Sequence, residues 1–301
     1  MSYRIKASDP TLADALRRIA AEQLDKAIAA LDGGAPTGDD IHTARKSAKK
    51  LRGLIRLVRP GFKPYKDVNA DLRDAARAIS GVRDRAALID TYDRLADLAS
   101  DSVDRPAIAP VRRELTLRLD AAERDGTLPA RAAEARRAFQ SLRHDVPDWT
   151  LRGSEKAILR GGLEQTLDRA RDACRSAASS RDPEDLHDWR KRVKYHWYHL
   201  RLLRDVWPEI TRPHIDVADR LSDLLGDQHD LVVFEAELHD PGLPDTARRT
   251  LLHPARSERF RLESEAITLG AFVHAAKPDH QARTWARWYR LWRRDQAAGL
   301  S

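Results

Sequence analysis

Two stretches of the sequence concentrate side chains that hold anions. Residues 39–60 read DDIHTARKSAKKLRGLIRLVRP, and from His42 to Arg59 they include seven Lys or Arg and no acid. Residues 184–208 read EDLHDWRKRVKYHWYHLRLLRDVWP. His42, Arg45, Lys46 and Lys49 return 145 residues later as His187, Arg190, Lys191 and Lys194, and Arg56 and Arg59 return as Arg201 and Arg204. Guanidinium groups offer forked donors to phosphoryl oxygens, and ammonium groups act as point charges. A downstream element also returns: ISGVRDRAAL (79–88) against LLGDQHDLVVF (224–234), with Asp84 opposite Asp230 after a one-residue slip. Self-similarity at so long a period indicates two copies of one helical unit rather than a solenoid.

On a helix, Ile41, Ala44, Ala48, Leu51, Ile55 and Val58 form an apolar seam. His42, Arg45, Lys49, Arg52, Arg56 and Arg59 follow the same rhythm one residue later, a turn of about 100°. The basic stripe therefore borders the seam instead of lying opposite it. In the second copy Leu186, Trp189, Val193, Leu200 and Leu203 form the seam, with His187, Arg190, Lys194, Arg201 and Arg204 beside it. Exposed helices usually mix signs to form i,i+4 pairs, yet 187–204 holds one acid, Asp188, and 42–59 holds none. If two such units pair about an approximate twofold, both stripes face one groove and a polyanion neutralises them. The alternative, solvated faces whose Lys and Arg stems lie along the core, stays open at this point.

Other chemistry finds less support. Eleven histidines invite a metal reading, with His42 and His187 paired across a twofold or His196 and His199 on one helix. The neighbours of His42 and His187 are Arg and Lys, which repel a divalent cation, so no metal site and no cofactor is expected. Phosphotransfer on either histidine would need an orienting acceptor and a donor-phosphate cradle, and the sequence has no Gly-rich phosphate loop of the P-loop type. Glu263 and Glu265 are two apart and do not share a helix face. The stretch QARTWARWYRLWRRDQ sets Trp285, Trp288 and Trp292 on one face and Arg283, Arg287, Arg290 and Arg294 on another. Such a stripe can stack on nucleic-acid bases, but the expectation here is core.

The elements that carry these residues read as helical throughout. Leu12, Leu16, Ile19, Leu24, Ile28 and Leu31 line a first helix, with Ser8 or Asp9 before Pro10 as its start and DGGAPTGDD as its stop. Helices follow near 40–58, 66–79, after SGVRD, 106–125 and 129–144. HDVPDWTLRGS marks the boundary between halves, and a helix from Glu155 opens the second with Leu159, Leu163, Thr166, Leu167, Ala170 and Cys174 on one face. DLVVF is too short to argue for a sheet. The fold class is all-α.

The chain has 301 residues and a formal net charge of +7, so the excess of base is modest and its placement carries the information. One cysteine, Cys174, leaves no disulfide framework and no cysteine-based zinc site. No run of 18 apolar residues spans a membrane, and the N-terminal residues lack the apolar core of a signal peptide. The expected location is the cytoplasm, with association to polyanion granules left open.

The paired HxxRKxxK segments and the later GDQHD element resemble the CHAD family, the conserved histidine α-helical domain. The resemblance covers about 8–296 and implies a stand-alone CHAD domain, without the CYTH triphosphate-hydrolase domain that often accompanies it. Its repeats would run about 8–147 and 153–296. It implies two four-helix bundles related by a pseudo-twofold around a basic central groove or pore that binds inorganic polyphosphate without catalysis. The implied polyphosphate-binding set is His42, Arg45, Lys46, Lys49, Lys50, Arg52 and Arg56 in the first copy and His187, Arg190, Lys191, Lys194 and Arg201 in the second. The copies differ where Lys50 meets Tyr195 and Arg52 meets Trp197. The alternatives are a nucleic-acid binder, other polyanions as ligands, and, as a third class, a phosphatase or kinase acting on polyphosphate.

Overall fold

The computed structural model describes residues 3–34, 36–99 and 103–298; Ala35, inside the loop expected at 32–40, lies outside the described residues. Among the described residues there are eleven α-helices, one 3-10 turn and no strand. The first half holds α1 (Leu12–Ala30), α2 (Gly38–Leu57), α3 (Tyr65–Ala78), α4 (Gly81–Leu98), α5 (Arg105–Arg124) and α6 (Leu128–Asp145). After the turn at Val146–Asp148 come α7 (Glu155–Ser180), α8 (Pro183–Leu202), α9 (Pro208–Glu237), α10 (Asp245–Val273) and α11 (Pro278–Ala297). No described helix is long and apolar enough to cross a membrane.

Local chemistry sets the helix ends. Thr11 and Thr37 begin α1 and α2 with reciprocal capping boxes to Asp14 and Asp40. The start of α1 is thus Thr11 and not Ser8 or Asp9. Asp9 is instead buried and takes the Arg18 guanidinium at 2.6 Å and the Lys6 amide at 2.8 Å. Asp182 caps α8 ahead of Pro183, which lacks the amide hydrogen that a first-turn residue cannot use.

The duplicated element after each motif helix takes two forms. In the second half it is one 30-residue helix, α9, with Gly226 inside it. In the first half it breaks at Ile79–Ser80 and resumes as α4 from Gly81. The DLVVF stretch lies within α9.

Three apolar clusters form the core. The largest gathers α1, α2, α3 and α6 with the start of α7, the end of α8, and Trp285 and Tyr289 of α11. Trp288 and Trp292 pack against it, so the tryptophan stripe is core surface. A second cluster joins α4 and α5 to the C-terminal half of α9 and the first part of α10. Arg118 closes its rim on Glu237 and Asp240, each at 2.6 Å. A third packs Trp189 and Val193 of α8 among Cys174, Leu221, Leu225 and Ala266. The α4–α5 hairpin therefore leaves the first-half helices and builds its core with the second half.

α2 and α8 lie at the centre. α2 touches α1, α3, α4, α7 and α8, and α8 touches α7 and α9. The end of α2 is seated by α7 at Gly162, where any added Cβ would sit on the Leu57 carbonyl. Backbone cannot yield as a side chain can, so Gly162→Ala is expected to cost about 1–3 kcal/mol or more. Gly38 has nothing within 4 Å, so Gly38→Ala is expected to leave stability within about 0.5 kcal/mol. Urea unfolding midpoints check this; equal midpoints for the two variants would show that α7 does not seat there.

Candidate anion-binding site

The two motif helices cross at equivalent positions of the repeat. Gly53 of α2 meets Tyr198 of α8, 145 residues apart, and a Cβ on Gly53 would lie 2.8 Å from the Tyr198 Cβ. His199, fully buried, donates through Nε2 to the Gly53 carbonyl at 3.1 Å. The N-terminal segment ties the same crossing. Tyr3 donates its hydroxyl to the Lys50 carbonyl at 2.8 Å, and the Ile5 amide donates to the Leu202 carbonyl at 2.9 Å. This close approach fixes how near the two basic stripes must come.

Arg45, Lys49, Arg190 and Lys194 share one field. Burial first, then Arg45, Arg190 and Lys194, push the Lys49 ammonium down to about 8, against which Asp84 works. Lys49 still reaches solvent, so protein and like charge crowd an ammonium that an anion can touch. Lys194 is lowered by burial, with Asp223 and Asp219 of α9 opposing and Arg190 and Arg201 adding to the shift. Lys50 is pushed to about 8 by burial and then by Arg201, Lys26 and Lys46.

Arg45 is anchored at the α3–α4 break. Its Nη1 donates at 3.0 Å to both the Ser80 carbonyl and Asp84. Arg190 lies in the space that Gly226 leaves, 3.7 Å from where a Cβ would be. Asp230 faces Arg190 and Arg94, although burial raises its pKa first of all. The one-residue slip that sets Asp84 opposite Asp230 thus reflects two arginine–aspartate encounters.

The lower stripe has neutral companions. Arg52 donates to Asn69 at 3.1 Å. Arg56 donates to the Tyr65 hydroxyl at 2.7 Å and to Asn69 at 3.1 Å, and lies 4.1 Å over the Tyr195 ring. Lys194 and Arg201 flank Trp197 at 4.2 and 4.5 Å. Such contacts hold a cation in place without cancelling its charge.

His42 and His187 have different neighbours. His187 stacks on His229 with ring centroids 4.2 Å apart. Burial, then Lys191 and Arg190, lowers its pKa. His42 is lowered by burial, then by Arg83, Lys46 and Lys49. Among the described residues, no group of three or more His, Cys, Asp or Glu is arranged to hold a metal ion. The site residues that sequence reasoning missed are Arg83, Arg94, His229, Tyr65 and Asn69. GDQHD did signal His229, which lies 145 residues after Asp84, but the slip drew attention to Asp230 instead.

Carboxylate placement separates these helices from the remaining surface. Elsewhere arginines are commonly paired, as in Arg112–Asp93 at 2.7 Å, Arg220–Glu265 at 2.6 Å and Arg261–Glu258 at 2.7 Å. Of the ten Lys and Arg in the sequence-derived set, only Arg45 and Lys191 form an ion pair within 4.0 Å among the described residues. Lys46, Lys49, Lys50, Arg52, Arg56, Arg190, Lys194 and Arg201 do not.

An all-helical domain whose two equivalent basic helices cross at its centre is what the geometry defines. A family model described as the CHAD domain matches residues 17–239. The chain belongs to the CHAD family. Its fold is similar to the crystal structure of the CHAD domain from the plant Ricinus communis, with a TM-score of 0.66 and 18% identity over 92% of this chain and 98% of that one. No curated protein matches the chain.

The buried imidazoles set an acid limit on the fold. Burial holds His196 and His199 at about 3 and His229 and His274 at about 4, whereas the unfolded chain protonates near 6.5. Between these values the unfolded state binds more protons, so the contribution of these histidines to stability is full above about pH 6.5 and falls as pH drops. Urea unfolding at pH 7.5 and 5.0 is expected to show a clear loss at the lower pH, with a shallower loss in His229→Asn. Equal stability at both pH values would contradict the burial of these rings in neutral form.

Proposed function

We propose that the crossing of α2 and α8 holds a chain of inorganic polyphosphate, as a binding site and without catalysis. The observation that carries this reading is the set of eight motif cations that have no carboxylate within 4.0 Å among the described residues. Family membership supports it, because CHAD domains are associated with polyphosphate binding. The meeting of equivalent residues Gly53 and Tyr198 supports an approximate twofold through the crossing. Such an axis sets Lys49 and Lys194 on either side of one groove.

A phosphate chain suits these groups chemically. It offers a line of anionic oxygens with no bases to read, so charge and spacing suffice. Arginines held by Asn69, Tyr65 and the tyrosine and tryptophan rings lose little freedom on binding. An anion favours the charged forms of Lys49 and Lys50 and offsets the repulsion each meets from its neighbouring cations. The two halves contribute unequally. Lys194 already faces Asp219 and Asp223, whereas Lys49 is opposed by Asp84, which Arg45 also engages.

Titration with long-chain polyphosphate at two salt concentrations tests the reading. Binding is expected to weaken steeply with salt, because neutralising many phosphates releases counterions. It should also exceed binding of single-stranded DNA at matched phosphate. Arg45→Ala/Lys49→Ala and Arg190→Ala/Lys194→Ala should each weaken binding, by about 1.5–3 kcal/mol per lost charge-assisted contact. The first pair should lose more. Salt-independent binding, or equal affinity for DNA, would sink the polyphosphate reading.

A further inference from the structure

α3 presents Asn69 to the basic stripe of α2, and with residues on another of its faces it forms a groove against α6. The groove encloses about 390 Å³. Its floor includes the buried Ala75, Ala135 and Leu142, and its rim carries the exposed Asp71, Asp74, Glu134 and Asp145. No base lines it, although the chain has a net charge of +7. Asp74 meets Arg73 at 2.8 Å, whereas Asp71, Glu134 and Asp145 form no ion pair among the described residues. A floor of small side chains between two helices lets a third helix pack closely along the groove.

α11 carries the complementary surface. Its inner face buries Trp285, Ala286 and Tyr289, and its outer face presents Arg283, Arg287, Arg290 and Arg294, all exposed. Arg283 pairs with Asp279 at 2.9 Å and Arg294 with Asp295 at 3.7 Å. Arg287 and Arg290 form no ion pair among the described residues. The spacings agree as well as the signs. Glu134 and Asp145 are eleven residues apart on α6, as Arg283 and Arg294 are on α11. Eleven residues bring a helix back to the same face about 16 Å further on. Asp71 and Asp74 are three apart, as Arg287 and Arg290 are. Guanidinium forks fit carboxylates, and arginine stems cover alanine methyls. α11 packs chiefly on α7, while α3 and α6 pack on each other and on α2 and α1. An α11 that fills the groove therefore comes from another molecule.

We infer that the α3–α6 groove is a self-association surface that receives α11 of a second copy of this chain. The two surfaces differ, so the contact is heterologous and either closes a ring or extends as a filament. It uses none of the residues assigned to the central groove. Exposed ion pairs are individually weak and are screened by salt, so the association depends on protein concentration and reverses at high salt.

Sedimentation velocity on the nuclease-treated full chain, without polyphosphate, tests this over a concentration series at low and high salt. The sedimentation coefficient should rise with concentration at low salt and return to the monomer value at high salt. Glu134→Lys/Asp145→Lys reverses the groove, and Arg287→Glu/Arg290→Glu reverses the helix. All four positions are exposed, and melting curves check folding. Each variant alone should self-associate about tenfold more weakly than wild type. General repulsion cannot explain a loss in the second variant, because its net charge is lower than that of the wild type. An equimolar mixture of the two should recover the association, since each groove then faces a helix of opposite charge. A wild type that stays monomeric throughout, a variant that associates as the wild type does, or a mixture no stronger than its components would overturn the contact.

Discussion

Like charge held at close range by a glycine is the constraint on which the rest of this protein depends. Gly53 lets α8 approach α2 until a Cβ would collide with Tyr198. At that separation Lys49 feels Arg190 and Lys194 across the gap. Repulsion of this kind would drive two helices apart unless other contacts held them. The buried His199 bond to the Gly53 carbonyl and the N-terminal bonds from Tyr3 and Ile5 provide that hold. Beneath them the largest apolar cluster runs without interruption through both halves. The energy that assembles the site is therefore apolar and backbone in origin, and the charges are carried against their own preference.

The surroundings divide by sign. Away from the crossing, many arginines close salt bridges, as Arg112 does on Asp93 and Arg261 on Glu258, each contributing little in water. At the crossing Arg52, Arg56 and Arg201 are held by amide, hydroxyl and ring partners, which position a guanidinium and leave it cationic. The two halves depart from each other in one telling way. The break between α3 and α4 presents the Ser80 carbonyl to Arg45, whereas the unbroken α9 sets aspartates along the face that Lys194 and Arg201 meet. The first half thus keeps the more open charge.

Much of this was legible in the residues. Two copies of His-x-x-Arg-Lys-x-x-Lys with a seam one residue away are enough to place basic stripes beside a core, and helical periodicity is strong where helices are long. The helix-end shift from Asp9 to Thr11 was not legible, because Asp9 looks like a cap until Arg18 is seen to claim it. Nor was the docking of α4 and α5 onto α9 and α10, since apolar spacing names a buried face but not what covers it. Arg83 and Arg94 reach the site from α4 through that same docking.

The central claim is that burial and the neighbouring cations hold the Lys49 ammonium below its ordinary pKa and that a phosphate chain opposes this. The direct test is an NMR titration of the Lys49 side chain, free and with long-chain polyphosphate. The free protein is expected to titrate at about 8, with an upward shift when the polyphosphate is added. A free value near the ordinary lysine pKa of about 10.4, or one that polyphosphate leaves in place, would contradict the account.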